Sequence, residues 1–343
     1  MLNSLVRFYY RWRDKKHISK IELESEYALN QIIEIIQKQL QAVLRPTSNI
    51  VTEYRFLGGA NNLGFILMTY EHTHRILWVA KIASKDLIAR EMLFIKWHQE
   101  TINSRDAFAP QYLTSGSIPE TSIEFLVTEK LTPAKRITLD STFNLYKSAA
   151  KANEFIKTQF ETNESMSLKA GSRIRDFLLN LVIQFKTCES KTFLNTFFAE
   201  RKRLLPQFVD DLSSVENKIN LIYRKINSED PSLWGFVHGD FKKANMMEDS
   251  DGNLKLIDFQ YNCYGVRVWD LAFYLSKDKR GFESSVIIVL NLLSNQNERD
   301  FLLFYYVVAL LLHPNIKTFK NTLNNKIRPS LNLLNSGVLS ESK

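Results

Sequence analysis

Apolar residues between positions 22 and 44 recur three and four apart: Leu29, Ile32, Ile33, Ile36, Leu40 and Val43. That spacing puts them on one face of an α-helix, which Pro46 stops. From residue 50 the period changes. VTEYRFL, GFILMTY and RILWVAKIA are short runs rich in β-branched and aromatic residues, separated by GGANN and EHTH. They predict three antiparallel strands joined by turns. Helical spacing returns over 85–99, with Leu87, Ile88, Met92, Ile95 and Trp97 among the apolar positions. SIEFLVTEKL, 122–131, predicts one more strand, broken at Thr132-Pro133.

Residues 141–225 carry a helical pattern throughout, including the apolar runs FLLNLVIQF (177–185) and FLNTFF (193–198). Strand and loop patterns return over 234–259. There DSDGN, 249–253, has the chemistry of a hairpin turn between MME and LKLIDF. From about 268 onward the chain is mostly helical. The longest apolar run, Phe301–Leu312, has 12 residues, against about 20 needed to cross a bilayer. It predicts a buried core helix ended by Pro314. Neither an internal repeat nor a low-complexity segment stands out. The pattern is α+β: a helical extension over 1–46, a small antiparallel-sheet lobe over 47–131, and a helical lobe over 132–343 with a strand-and-loop stretch embedded in it.

Composition narrows the function classes. At 343 residues the chain exceeds one domain of about 100–200 residues. Hydrophobic residues make up 45% and aromatic ones 12%, enough core to exclude wholesale disorder. The only cysteines, Cys188 and Cys263, are too few and too far apart for a disulfide framework or a cysteine-based metal site. They fit a reducing compartment, and without a secretory signal pattern the expected location is cytoplasmic. The net charge of +8 is spread along the chain, so general phosphate affinity is expected and a dedicated nucleic-acid partner is not. Residues 1–16 interleave Phe8, Tyr9, Tyr10 and Trp12 with Arg7, Arg11 and Arg13. Such a segment is an amphipathic helix docked on its own protein or, as the second reading, a membrane-surface contact.

Chemistry concentrates in FVHGDFKKANMMEDSDGNLKLIDFQYNCYGVRVWDLAFYL, Phe236–Leu275. It holds His238-Gly239-Asp240, then Asn245, then Ile257-Asp258-Phe259. Phosphoryl transfer from ATP needs a carboxylate to orient the attacking hydroxyl and take its proton. It also needs two oxygen ligands for magnesium, in rigid positions. Asp240, Asn245 and Asp258 are the right groups, in the order and spacing of the protein-kinase signature. Singly, each is an ordinary turn or capping residue; the ordered set is what carries the reading. Upstream, Gly58-Gly59-Ala60-Asn61-Asn62-Leu63-Gly64 lies between two predicted strands, where backbone N–H groups can cradle phosphate or simply turn a hairpin. Lys81, in LWVAKI, is a charge inside an apolar strand and needs a partner. Glu91 is the first candidate, ahead of Glu71 and Glu100.

His-Gly-Asp with Asn five residues on, then Ile-Asp-Phe, then Trp-Asp-Leu-Ala at 269–272, resembles the aminoglycoside phosphotransferase and choline kinase-like superfamily. These are small-molecule relatives of protein kinases. The likeness is most specific across 234–275 and extends over 50–131; no motif matches over 141–225 or 280–343. It implies a bilobal protein-kinase-like fold with ATP and Mg2+ as cofactors and a small-molecule hydroxyl acceptor bound by the helical lobe. It implies Asp240 as catalytic base and Asn245 and Asp258 as metal ligands. Lys242, standing where relatives carry Lys or His, would reach the γ-phosphate. Gly58, Gly59, Ala60, Asn61 and Gly64 would form the phosphate loop. Lys81, positioned by Glu91, would hold the nucleotide phosphates, and Glu129 and Leu131 would line the adenine hinge. His238 would be a structural loop residue, and Asp270 would brace the catalytic loop, cap the following helix, or do both.

The acceptor is less legible. Residues 141–230 carry 14 basic and 11 acidic side chains, no carboxylate concentration of the kind a polycationic aminoglycoside wants. Trp234, Tyr261, Tyr264, Trp269 and Tyr274 are candidates for a choline-type aromatic cage or for core. The basic balance favours an anionic or neutral hydroxyl compound such as a sugar, glycan intermediate or nucleoside. An atypical protein kinase is the alternative enzyme. It lacks an Ala-Pro-Glu element, and Asp258 to Asp270 is a short activation interval. A non-catalytic pseudokinase or surface-binding protein is the alternative from another class.

Overall fold

The strand periods of the first 131 residues build one five-stranded sheet: β1 (Ile50–Arg55), β2 (Gly64–Tyr70), β3 (Ile76–Ser84), β4 (Tyr112–Ser117) and β5 (Ile123–Glu129), in the order β1-β2-β3-β5-β4. Each pairing is antiparallel. The structure is a computed structural model and describes residues 26–44, 50–55, 64–70, 76–162, 188–225, 230–312 and 316–340. Segment 1–16, the Gly58–Asn61 loop, Glu71 and the run 177–185 lie outside the described residues.

Helix α1 (Glu26–Leu44) lays Ile32, Ile36 and Leu40, spaced four apart, against Ala80, Ile82, Phe125 and Val127. Each such side chain contributes roughly 1.5–3 kcal/mol on burial. The helix expected as an extension is therefore a layer of the sheet's core. Strand β4 carried no readable signal, because YLTSGS is mostly polar and alternates weakly; it is an edge strand with one fully buried residue, Thr114. Its Gly116 lies under α1, where an added Cβ would come within 2.8 Å of Gln39 Nε2. Helix α2 (Lys85–Thr101) follows β3 directly and buries Ile88, Phe94 and Ile95.

The described residues fall into two compact units: one within Met1–Ala134 and Met247–Gln260, the other within Lys135–Met246 and Tyr261–Lys343. The expected boundary near 131 left everything downstream in the helical lobe. By contact, the hairpin segment after Met246 joins the first unit instead. The physical reason is pairing: strands β8 (Met246–Glu248) and β9 (Leu254–Leu256) form a sheet with β6 (Thr132–Pro133), in the order β6-β8-β9. The Leu256 N–H also donates to the Phe108 carbonyl at 2.7 Å. The hairpin turn is as read from DSDGN, with Gly252 at φ +83° and the Asp249 carboxylate accepting from the N–H groups of Asp251 and Asn253.

The second unit is mainly helical. Helices α3 (Leu139–Ala149), α4 (Asn153–Thr162), α5 (Cys188–Leu204) and α6 (Val209–Lys225) precede the two-stranded sheet of β7 (Trp234–Val237) and β10 (Cys263–Val266). Helix α7 (Val268–Lys277) follows, then α8 (Ile288–Leu292), α9 (Gln296–Leu312), α10 (Phe319–Thr322) and α11 (Arg328–Ser340). The long apolar run is α9, buried over Phe301–Ala309, with Tyr305 edge-on to Trp269 of α7 at 5.6 Å. Its last carbonyls, Leu311 and Leu312, accept from the buried Arg201 guanidinium at 3.4 and 2.7 Å. That supplies partners a helix end otherwise lacks. Among the described residues, no helix is long and apolar enough to cross a membrane.

Candidate active site

Lys81 sits mid-strand in β3, opposite Phe65 of β2 and Leu126 of β5. Its ammonium is 2.5 Å from Glu91 Oε2 and 2.8 Å from Asp258 Oδ1. Glu91 reaches it because Glu91, Phe94, Ile95 and His98 share one face of α2 at helical spacing. Burial works to strip the charge from Lys81. The carboxylates of Glu91 and Asp258 outweigh it and hold the Lys81 pKa above its ordinary value. Burial likewise raises Glu91, with the Lys81 ammonium pulling the other way. The sequence named Glu91 as partner; Asp258, 177 positions away, was a metal candidate only. Of the alternatives, Glu100 is exposed on the last turn of α2.

Asp258 has φ +69°, in the left-handed region. A non-glycine residue there stores strain and persists only where its surroundings enforce it. The surroundings are visible. Its carboxylate is bonded to Lys81, and the next ring, Phe259, packs on Phe94 with centroids 4.3 Å apart. Phe108 and His98 complete this ring cluster. His98 Nε2 accepts the Phe108 N–H at 3.2 Å. Burial, with Lys255 nearby, pushes the His98 pKa down to about 4, so the ring is neutral and stays an acceptor. Lys255 itself donates to the Ala107 carbonyl at 2.7 Å. Neither His98 nor Lys255 was singled out from the sequence; a buried His on the Glu91 face of a helix was the available signal.

The remaining first-unit candidates are placed as follows. Gly64 opens β2 opposite Ile82, one register step from the Phe65–Lys81 pair. Glu129 closes β5 and exchanges two bonds with Gln111: its N–H donates to the Gln111 carbonyl at 3.0 Å, and its Oε1 accepts the Gln111 N–H at 2.8 Å. Leu131 is buried.

In the second unit the loop 238–245 leaves β7 and is pinned from behind. Asp270, near the start of α7, accepts the N–H groups of His238 at 2.7 Å and Gly239 at 3.1 Å. Burial pushes its carboxyl up to about 7; the two N–H groups oppose that rise and Asp240 adds to it. Asp270 thus braces the loop. It does not cap α7, whose N-cap position is Arg267. Gly239 has φ +82°, and a Cβ there would lie 2.6 Å from the Tyr261 carbonyl oxygen, so this position admits only glycine. His238 is fully buried, and its Nδ1 accepts the Asp240 N–H at 3.2 Å. It therefore shapes the loop.

Asp240 is 3% exposed. Its Oδ2 accepts from Lys242 Nζ at 2.6 Å and from Asn245 Nδ2 at 3.1 Å. Asn245 Nδ2 also donates to the Asp240 carbonyl at 2.9 Å. The amide nitrogen is thereby engaged on Asp240, which leaves Asn245 Oδ1 as an oxygen donor of the hard type magnesium takes. Asp240, Lys242 and Asn245 are thus brought together in one unit, and Lys81, Glu91 and Asp258 in the other. The candidate cage residues Tyr261, Trp269 and Tyr274 are buried. Trp234 stacks on Tyr264 across the β7–β10 pair.

A family model described as choline/ethanolamine kinase matches residues 124–306. A choline/ethanolamine kinase of Mus musculus is 35% identical over 72 residues, so the matched stretch spans 20% of this chain and 18% of that relative. An aminoglycoside phosphotransferase from Alicyclobacillus acidocaldarius superposes with a TM-score of 0.51 at 14% identity, covering 88% of this chain and 96% of that one. A spectinomycin phosphotransferase solved with ADP and spectinomycin gives 0.50 at 11% identity, covering 89% and 98%. At these identities the structural likeness establishes the fold, which is protein-kinase-like. The family model takes in more than half of the sequence, and the chain belongs to the choline/ethanolamine kinase family.

Proposed function

We propose that the protein is a phosphotransferase that moves the γ-phosphoryl group of ATP to a hydroxyl of a small molecule, with magnesium. The observation that carries this reading is the buried Asp240 carboxylate, fixed by Lys242 and Asn245 on a loop that Asp270 holds through two backbone N–H groups. Catalysis of this reaction is mostly positioning and charge neutralisation. A rigid carboxylate with one oxygen engaged by two donors suits that task.

In this reading Asp240 orients the acceptor hydroxyl and takes its proton as the oxygen bonds to phosphorus and the bond to the ADP oxygen breaks. Lys242, already on Asp240, supplies positive charge to the transferring group. Lys81, kept charged by two carboxylates, holds the nucleotide phosphates together with the 58–64 loop. The backbone between Glu129 and Leu131 takes the adenine. Asn245 Oδ1 and the Asp258 carboxylate are the magnesium ligands, and the ion, when bound, neutralises phosphate charge. Family membership and the ADP bound to the spectinomycin phosphotransferase support the nucleotide assignment.

The metal role has its own test. Calorimetric titration with ADP, with and without magnesium, should show Asp258→Ala weakening the magnesium-dependent part of binding by about tenfold or more, the scale of one charge-assisted contact. Equal affinities for the two proteins in magnesium would remove Asp258 from the ligand set.

A further inference from the structure

We infer that the acceptor carries a negative charge, a carboxylate or a phosphate, held by Lys277 beside the Asp240–Lys242 pair. This rests on the phosphotransferase reading and specifies its substrate class. Lys277 is the last residue of α7, the helix whose start braces the catalytic loop. Its ammonium lies 5.4 Å from the centre of the Phe273 ring and has no carboxylate partner among the described residues. It is close enough to Lys242 and Asp240 to feel both charges: burial and Lys242 lower its pKa, and Asp240 raises it.

The acids around it are already engaged. Asp240 accepts from Lys242 and Asn245. Asp270 is buried on the His238 and Gly239 N–H groups. Asp278 accepts from Arg280, and Lys326 donates to the Asp278 carbonyl at 3.1 Å. A cationic acceptor approaching Asp240 would therefore meet two ammonium groups and no unengaged carboxylate among these acids. The Phe273 face that would suit a quaternary ammonium already carries Lys277. An anionic acceptor would give Lys277 the partner it lacks and would bring a hydroxyl to Asp240.

A matched series tests this: choline, 3,3-dimethylbutanol, 3-hydroxypropionate and 2-hydroxyethyl phosphate present the same hydroxyethyl arm with positive, neutral, carboxylate and phosphate ends. With ATP and magnesium, kcat/KM should be highest for one of the two anions, and which one distinguishes carboxylate from phosphate. Lys277→Gln should raise KM for that anion about tenfold with little change in kcat, and Lys277→Arg should restore most of it. Choline as the best acceptor, or a KM indifferent to Lys277→Gln, would overturn the inference. So would anions that neither turn over nor bind the nucleotide-loaded protein. Magnesium-dependent ADP binding separates the failures: its absence sinks the phosphotransferase reading, whereas its presence with a preference for choline sinks the anionic acceptor alone.

Discussion

Lys81 shows how one buried charge organises its surroundings. An ammonium inside a strand is tolerable only when paired, which made Glu91 legible as its partner. The second carboxylate, Asp258, was legible as a functional residue but not as a partner, because no spacing rule links residues 177 positions apart. Lys81→Met should destabilise the protein by roughly 3–5 kcal/mol, since it strands buried carboxylate. Lys81→Met with Glu91→Leu should recover much of the loss. Denaturant titration checks both, and an additive double variant would contradict the pairing. Asp270 gives a pH signature. Its carboxyl rises from an ordinary 3.8 to about 7 on folding, so the folded protein keeps a proton the unfolded chain loses. That contribution is full below about pH 4 and disappears as pH rises through 7. The stability of the natural protein relative to Asp270→Asn should therefore fall between pH 4 and pH 7. His98, lowered to about 4, acts in the opposite sense and cancels in this comparison. A gap independent of pH would contradict the shift.

At the scale of elements, periodicity located α1 and most strands, and the Asp-Gly-Asn turn located the β8–β9 hairpin. What an element packs against was harder to see. The apolar stripe of α1 announces a buried face but not its partner, so its place on the sheet emerges only from Ile32, Ile36 and Leu40 meeting Ala80, Phe125 and Val127. Ile36→Ala should cost about 2–5 kcal/mol, as for other fully buried aliphatic truncations. A change near zero in thermal or denaturant unfolding would mean that α1 is dispensable to the core. Strand β4 escaped notice because edge strands tolerate polar residues, and Tyr112–Ser117 has few apolar ones to show. The loop between β7 and β8 was legible through its chemistry. Its one stringent backbone demand falls on Gly239. Gly239→Ala meets both a left-handed φ and a carbonyl 2.6 Å away, and should cost about 1–3 kcal/mol and displace Asp240.

For the molecule as a whole, the sequence order of the motifs proved more informative than their unit membership. His-Gly-Asp, Asn and Ile-Asp-Phe lie within about 20 positions, which is why the candidate chemistry could be read without a structure. The chain nevertheless passes between compact units inside that stretch: Met246 ends one segment of the second unit and Met247 begins the return to the first. Asp240 and Asn245 thus belong to one unit and Asp258 to the other, a partition that hydrophobic pattern does not encode. The acceptor was the least legible feature, since it depends on which charges near Asp240 remain unpaired, and that is a matter of side-chain geometry. The central claim is phosphoryl transfer through Asp240. Its most direct test incubates the protein and Asp240→Asn with γ-labelled ATP, magnesium and a fractionated small-metabolite extract. The account predicts label in a small-molecule fraction with the natural protein, and a rate lower by about 10²–10⁴-fold in the variant, whose ADP binding is retained. Equal labelling by the two proteins would contradict it.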